Sequence, residues 1–412
     1  MKRNFGIALL AFVILFCCGC SASNDKAASE WIYDGVTDVV ENAAYSAERS
    51  VEHEAEVAQD TAAQAIPQIP LVYANFSQHS SSTNADDGTK LFISQCSIPH
   101  FVTENEDVNK WLETYVDAAV AKTIDELKRI EHMAESIYEN RGDGDPADFY
   151  AYSYYSNVNT ARLDSSVLSV LQVNSVYSGG AHPNSAQHTY NLDLQNCTEL
   201  TLSDVILPGG AEVLQEMVLT QLSERFGSLE TSGLYPDYQE VVKGCFDDEG
   251  LTSNWYFSEN GLVIYFNCYD IAPYAAGIIK VEIPYDLLAG VVKATYVPES
   301  SYGGVGDIGL LGLIGERNVL GDTTEEERFF IGTNQAVYDI KLHKLTGWLT
   351  DDVPIAGSMI FASNRLTADE AIAIPAADGV EYLLNYRDGN GSVCKLVIGI
   401  DGIREIVNEI AE

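Results

Sequence analysis

Apolar and polar positions alternate over short runs along the first third of the chain, then settle once into a long three- and four-residue rhythm. "LVYANFSQHS" (71–80) and "TKLFISQCSIP" (89–99) read as two strands separated by the polar stretch "SSTNADDG" (81–88). The rhythm changes at about 105–139. There Val108, Trp111, Leu112, Tyr115, Val116, Ala119, Ile124, Leu127, Ile130 and Ile137 trace one face of a helix. Thr103 and Asn105 are its candidate N-caps, and "NRGDGDP" (140–146) stops it. The aromatic run "DFYAYSYYSNVN" (148–159) supplies a strand to pack on that helix.

Further on, "SVLSVLQVNSVY" (166–177) and "SAQHTYNLDL" (185–194) read as an outgoing and a returning strand. After "TELTLSDVIL" (198–207) comes a helix of about 209–226, with Val213, Leu214, Met217, Val218 and Leu222 on one side. "SNWYFSENGLVIYFN" (253–267) is a hairpin around "ENG", and "IIKVEIPYDLL" (278–288) closes the unit. From about 300 the texture turns Gly-rich in "SYGGVGDIGLLGLIG". Short β-like runs follow: "RFFIGT", "AVYDIKL", "SMIFAS", "EAIAIP", "VEYLLNY" and, after the turn "RDGNGS", "VCKLVIGI". No βαβ alternation of a parallel sheet runs through this order. The pattern predicts an α+β fold: antiparallel sheets packed on helices in two adjoining domains, 71–165 and 166–297, with a small mostly-β domain at 298–412.

The N-terminus reads as a processing signal rather than as fold. Lys2 and Arg3 precede "FGIALLAFVILF" (5–16), an apolar run too short to span a bilayer comfortably. "CCGCSAS" (17–23) follows and resembles a bacterial lipoprotein cleavage site. Cys20, after Gly19, is the expected lipidated residue, with Cys18 as the alternative. Residues 1–19 would then be a lipoprotein signal peptide. Residues 20–70, acidic and Ala-rich, would be a tether reaching roughly 40–75 Å. The body is accordingly expected outside the cytoplasm, anchored to the bacterial membrane by lipid.

Composition narrows the function classes. At 46% hydrophobic residues the chain can build real cores. A formal charge of −38 repels nucleic acid and anionic polymers and attracts basic proteins or cations. Cleavage before Cys20 leaves Cys96, Cys197, Cys245, Cys268 and Cys394, widely spaced. That spacing suits scattered core thiols better than a disulfide framework or a zinc ribbon, although one or two disulfides would be compatible with it. Seven histidines lie apart with no metal spacing, and no GxxxxGK loop occurs, so neither metal nor cofactor is expected. "RDGNGS" lacks the alternating carboxylates and terminal Glu of a calcium loop.

The densest candidate chemistry lies in "NSVYSGGAHPNSAQHTYNLDL" (174–194). Gly179 and Gly180, after Tyr177, permit a sharp reversal, Pro183 stiffens its exit, and Asn184 can bond its own backbone. His182 would serve as a base only beside a nucleophile or carboxylate, and neither can be assigned; Ser178 lacks a G-x-S-x-G elbow. The turn reads as structural or ligand-contacting rather than catalytic. In "YDIAPYAAG" (269–277), Tyr269 and Tyr274 flank Pro273, where aromatic rings stack on a ligand or seal the core, and Asp270 can cap the irregular segment.

"YSGGAHPN", "YNLDL" and "ELTLSDV", with "GLVIYFNCYDIAPYAAG" and "VEIPYDLL", resemble a bacterial extracytoplasmic domain of uncertain function. It is found in the lysozyme-sensing anti-sigma factor RsiV and in the accessory region of the peptidoglycan deacetylase PdaC. The resemblance covers about 71–297, is carried by 174–204 and 261–288, and does not extend to the tail. It implies an α+β fold and, through the RsiV branch, binding of lysozyme at the cell surface. Only "MKRN" precedes the apolar run, so no anti-sigma role is expected, and no metal-binding deacetylase motif is found. The expected function is non-catalytic binding of a basic wall-active protein such as lysozyme. Tyr177, Gly179, Gly180, His182, Asn184, Tyr269, Pro273 and Tyr274 would be the contact residues. The alternatives are a peptidoglycan-binding module and an envelope hydrolase whose catalytic group sits in the tail.

Overall fold

The structure, a computed structural model, describes residues 70–406 except 143–147, 228–232, 247–250, 299–305, 312, 324–326, 351–352 and 401. The expected signal peptide, Cys20 and nearly all of the tether lie outside the described residues. Strands β1 (Val72–Asn84) and β2 (Lys90–Thr103) form an antiparallel hairpin whose turn holds only 85–89. Residues 81–84, expected as loop, therefore continue the strand. Their side chains need no core, because the ladder to β2 satisfies the backbone and Thr83 bonds to Glu131 on the neighbouring helix.

That helix, α1 (Glu106–Glu139), forms where the long rhythm predicts it. Asn105 caps it, its Oδ1 accepting the N–H groups of Asp107 at 2.9 Å and Val108 at 3.4 Å. Thr103, the other candidate cap, stays outside and accepts the Asn105 N–H. Buried contacts concentrate at the two ends, Val108 and Leu112 at one and Ile130, Ala134 and Tyr138 at the other. Ile124 and Ile137, expected on the same face, are 42% and 51% exposed. Successive helix residues lie about 100° apart, which puts Ile137 about 60° from the centre of the stripe made by Ile130, Ala134 and Tyr138, at its solvent edge.

β3 (Tyr152–Leu163) runs parallel to β2 and antiparallel to β4 (Val167–Tyr177). β4 pairs in turn with β5 (Asn184–Asp193), and β5 with the two-residue β6 (Thr198–Glu199). Three helices follow, α2 (Leu202–Val205), α3 (Gly210–Phe226) and α4 (Tyr238–Gly244). The last has no counterpart in the sequence reading, being too short for a period to register. A separate three-stranded sheet consists of β7 (Trp255–Phe257), β8 (Gly261–Phe266) and β9 (Ile279–Pro284).

The run "GLVIYF" is apolar throughout because this small sheet is buried on both faces. Trp255, Phe257, Leu262, Ile264 and Phe266 pack with Leu214, Val218 and Leu222 of α3. Tyr256, Val263 and Tyr265 pack the other way, against Ala161 and Leu171 of β3 and β4. Gly261 sits where a Cβ would come 2.0 Å from the Ile283 carbonyl oxygen, so only glycine lets β8 meet β9 there.

Every expected tail strand forms. β12 (Arg328–Thr333) and β15 (Glu370–Pro375) join the short β10 (Ile308–Leu310) and β11 (Asn318–Leu320) in a four-stranded sheet. β13 (Val337–Thr350), β14 (Val353–Leu366), β16 (Tyr382–Arg387), β17 (Val393–Gly399) and β18 (Gly402–Glu405) enter the largest sheet instead. Its order is β18-β17-β16-β13-β14-β1-β2-β3-β4-β5-β6, joined at β1–β14 with Ala74 opposite Ala362. One sheet thus passes through all three stretches expected as domains, and residue 165 lies in the β3–β4 turn. The fold is α+β with mainly antiparallel sheets; among described strands, β2–β3 and β11–β15 pair in parallel. No helix among the described residues is long and apolar enough to cross a membrane.

Candidate functional site

The β4–β5 turn and the β8–β9 loop are far apart in sequence and meet in space. Tyr177 ends β4, and its hydroxyl donates to the Gly180 carbonyl at 3.2 Å. Gly179 and Gly180 have φ of 93° and 104°, which a side chain rarely adopts, and a Cβ on Gly179 would lie 3.3 Å from the Tyr152 hydroxyl. Asn184 is the first residue of β5 and pairs with Val176, so it stands in the ladder rather than in an Asx turn.

His182 projects from this turn and stacks on Tyr274, ring centroids 4.0 Å apart and planes 20° apart. Its Nδ1 lies 2.8 Å from the Pro183 carbonyl. A carbonyl only accepts, so Nδ1 carries a proton, and Nε2 lies 3.3 Å from the Tyr269 hydroxyl. Tyr269 in turn leans on Tyr274 at 5.7 Å. It is half exposed and holds φ of 73°, uncommon for an aromatic residue. The three rings form one surface patch, with Pro273 exposed beside it.

What aims the loop is a pair of residues the sequence reading did not single out. Asn267, just past β8, presents its side-chain amide to the backbone of Gln187 on β5. Oδ1 accepts the Gln187 N–H at 2.7 Å, and Nδ2 donates to its carbonyl at 3.2 Å. That carbonyl also accepts from the Tyr265 hydroxyl, at 3.2 Å. Asp270 caps the segment as its sequence position suggests, Oδ2 accepting the Asn267 N–H at 2.7 Å. Lost hydration raises the Asp270 pKa, against the lowering effect of that hydrogen bond. The only signal in the sequence was an asparagine at a strand end, and strand ends often carry one for turn geometry alone.

Asn267→Ala should cost about 1–2 kcal/mol, the loss of two hydrogen bonds to a part-buried backbone. Faster amide exchange at 267–277 with β7–β9 unchanged would be the readout, and an unaltered loop would show that the clamp does not hold it.

Chemically the patch offers stacking and hydrogen bonding. The two nitrogens of His182 face a carbonyl and a phenol, not the carboxylate that orients a catalytic imidazole. Among the described residues, no group of three or more His, Cys, Asp or Glu is placed to hold a metal. Of the eight residues named from the sequence, Tyr177 and Asn184 end the strands that flank the turn, the other six lie in the turn or the loop, and the ring contacts bring His182, Tyr269 and Tyr274 together.

Two segments match family models. Residues 203–286 match a protein family of unknown function, DUF3298, and residues 86–185 match a model described as deacetylase PdaC. The second match runs through the β3–β4 turn. No curated protein matches the chain. Among solved structures it is similar to a DUF3298 member from Bacteroides fragilis, at 20% identity and TM-score 0.41, covering 54% of this chain and 94% of that one. It is also similar to a DUF3298 protein from Pseudomonas aeruginosa, at 16% identity and TM-score 0.38, covering 55% and 96%.

Proposed function

We propose that the chain is a non-catalytic binding protein of the bacterial cell envelope, lipid-anchored through Cys20, whose ligand is a basic wall-active protein such as lysozyme. The observation that carries this reading is a surface patch of three aromatic side chains, His182 stacked on Tyr274 and Tyr269 tilted against it, on a molecule of charge −38. Long-range attraction brings a basic partner close, and rigid aromatic rings then supply short-range contact. The segment matches to DUF3298 and deacetylase PdaC, and the resemblance to the RsiV ectodomain, support an extracytoplasmic role for such a module.

A second reading is favoured by the same rings, since flat exposed faces also stack on sugars. It would make the ligand peptidoglycan. Titrating the protein with lysozyme at about 50 and 300 mM salt separates the two, because the screening length shortens with salt. Saturable binding that persists at the higher salt is expected. Binding only at low salt, together with salt-insensitive capture by purified sacculi, would replace the protein ligand with the glycan. Steady turnover of wall fragments, abolished by one substitution that leaves the fold intact, would overturn the non-catalytic reading.

A further inference from the structure

At the opposite end of β8 from the aromatic patch, a group of charged side chains joins three parts of the fold. Glu259 and Asn260 come from the β7–β8 turn, Asp339 and Lys341 from β13, and Arg387 from β16. Lys341 Nζ lies 2.5 Å from a Glu259 carboxylate oxygen and donates to the Ala161 carbonyl at 3.2 Å. Arg387 pairs with Asp339 at 3.2 Å, lies 3.7 Å from Glu259 and donates to the Asn260 side-chain oxygen at 2.7 Å. About a fifth of each charged side chain reaches solvent, the values running from 19% to 23%.

Asp339 is held there by an irregularity in the backbone. The β13–β16 register slips between Tyr338 and Lys341, Asp339 and Ile340 together opposing Tyr386 alone, and Asp339 has φ of 50°. Bulges of this kind re-aim a side chain, here into the cluster. Asp339 then shares a confined space with Glu259, and Asp164 adds a third negative field.

We propose that this cluster is a proton-operated fastener, which holds the 258–260 turn to the C-terminal strands more firmly in mild acid than above neutrality. Burial first, then repulsion from Glu259, pushes the Asp339 pKa up to about 7, with Lys341 and Arg387 opposing and Asp164 adding to the rise. The 23% of its side chain that meets water moderates the size of the effect and leaves its direction. Once the junction opens, Asp339 is hydrated and titrates near the ordinary carboxylate value, about 4. Between those two values the closed junction keeps a proton that the open one has released. Opening therefore becomes easier as pH rises through that window and levels off above it.

The test is amide hydrogen exchange of β7, β8 and β13 in the whole protein at pH 5.5 and 8, corrected for intrinsic exchange. About 1.5 units of that window lie above pH 5.5, an upper bound of about 30-fold, and with the exposed part of Asp339 screened by water opening in the parent should rise about tenfold between the two. Asp339→Asn removes the proton, keeps the size and tolerates the left-handed backbone, so its opening should change less than about twofold. The many other carboxylates act alike in both proteins and cancel in the comparison. Glu259→Gln takes away the repulsion and should move the parent's transition to lower pH. An equal pH response in Asp339→Asn and the parent overturns the proposal. If Asp339→Asn does not fold, an unmoved transition in Glu259→Gln overturns it.

Discussion

Arg162→Ala is expected to lower the unfolding free energy by roughly 3–5 kcal/mol, the cost of stranding the partners of a buried ion. Arg162 is the penultimate residue of β3, with 3% of its surface exposed. Its Nε donates to Asp164 at 2.6 Å, and one Nη donates to the Tyr285 hydroxyl at 2.9 Å and to the Tyr296 carbonyl at 2.5 Å. The guanidinium also lies over the rings of Phe257, at 5.3 Å, and Tyr285, at 5.7 Å. One side chain therefore ties the largest sheet to β7 and to the segments after β9. Truncation leaves a carboxylate, a hydroxyl and a carbonyl without that donor. Arg162→Lys should recover only a minor part, because a single ammonium cannot reproduce the guanidinium fork. Urea unfolding at neutral pH measures both. A loss below about 1 kcal/mol for the alanine variant, the range of an exposed pair, would mean that water replaces the arginine and that the join is held elsewhere.

His182→Ala combined with Tyr274→Ala should weaken lysozyme binding at least about 30-fold, the effect of removing a central aromatic anchor worth about 2 kcal/mol. The two rings stack at 4.0 Å, so each single variant should lose much of what the pair loses, and the effects should not add. His182 is exposed and Tyr274 half-buried, so the fold should survive the double change. Binding that persists undiminished in a folded double variant would place the interface on another surface. Unchanged lysozyme binding with lost binding to sacculi would assign the patch to glycan.

Much of the architecture was legible in the residues because it is local. Helix α1 repeats its period over many turns behind a good cap. The tail strands are short apolar runs bounded by turn residues. The two halves of the patch were legible separately, one from its glycines and proline, the other from tyrosines around a proline. Other features were hidden for physical reasons. Residues 81–84 look like loop because a strand exposed on both faces carries no alternation. Arg162 resembles any other arginine until the carboxylate, phenol and carbonyl around it are in place. Asn267 could not be told from a turn asparagine until Gln187 lay opposite.

By itself the sequence determined the α+β class, the turn at 178–183, the loop after β8 and the strongly acidic character of the molecule. Each follows from the chemistry of neighbouring residues, which sets backbone preference and which face avoids water. Only the tertiary structure decided that β1 pairs with β14, that one sheet passes through all three stretches, and that His182 lands on Tyr274. Those outcomes depend on which edges and apolar faces remain open after local structure forms. A strand's own residues specify that it needs a partner, but not which one.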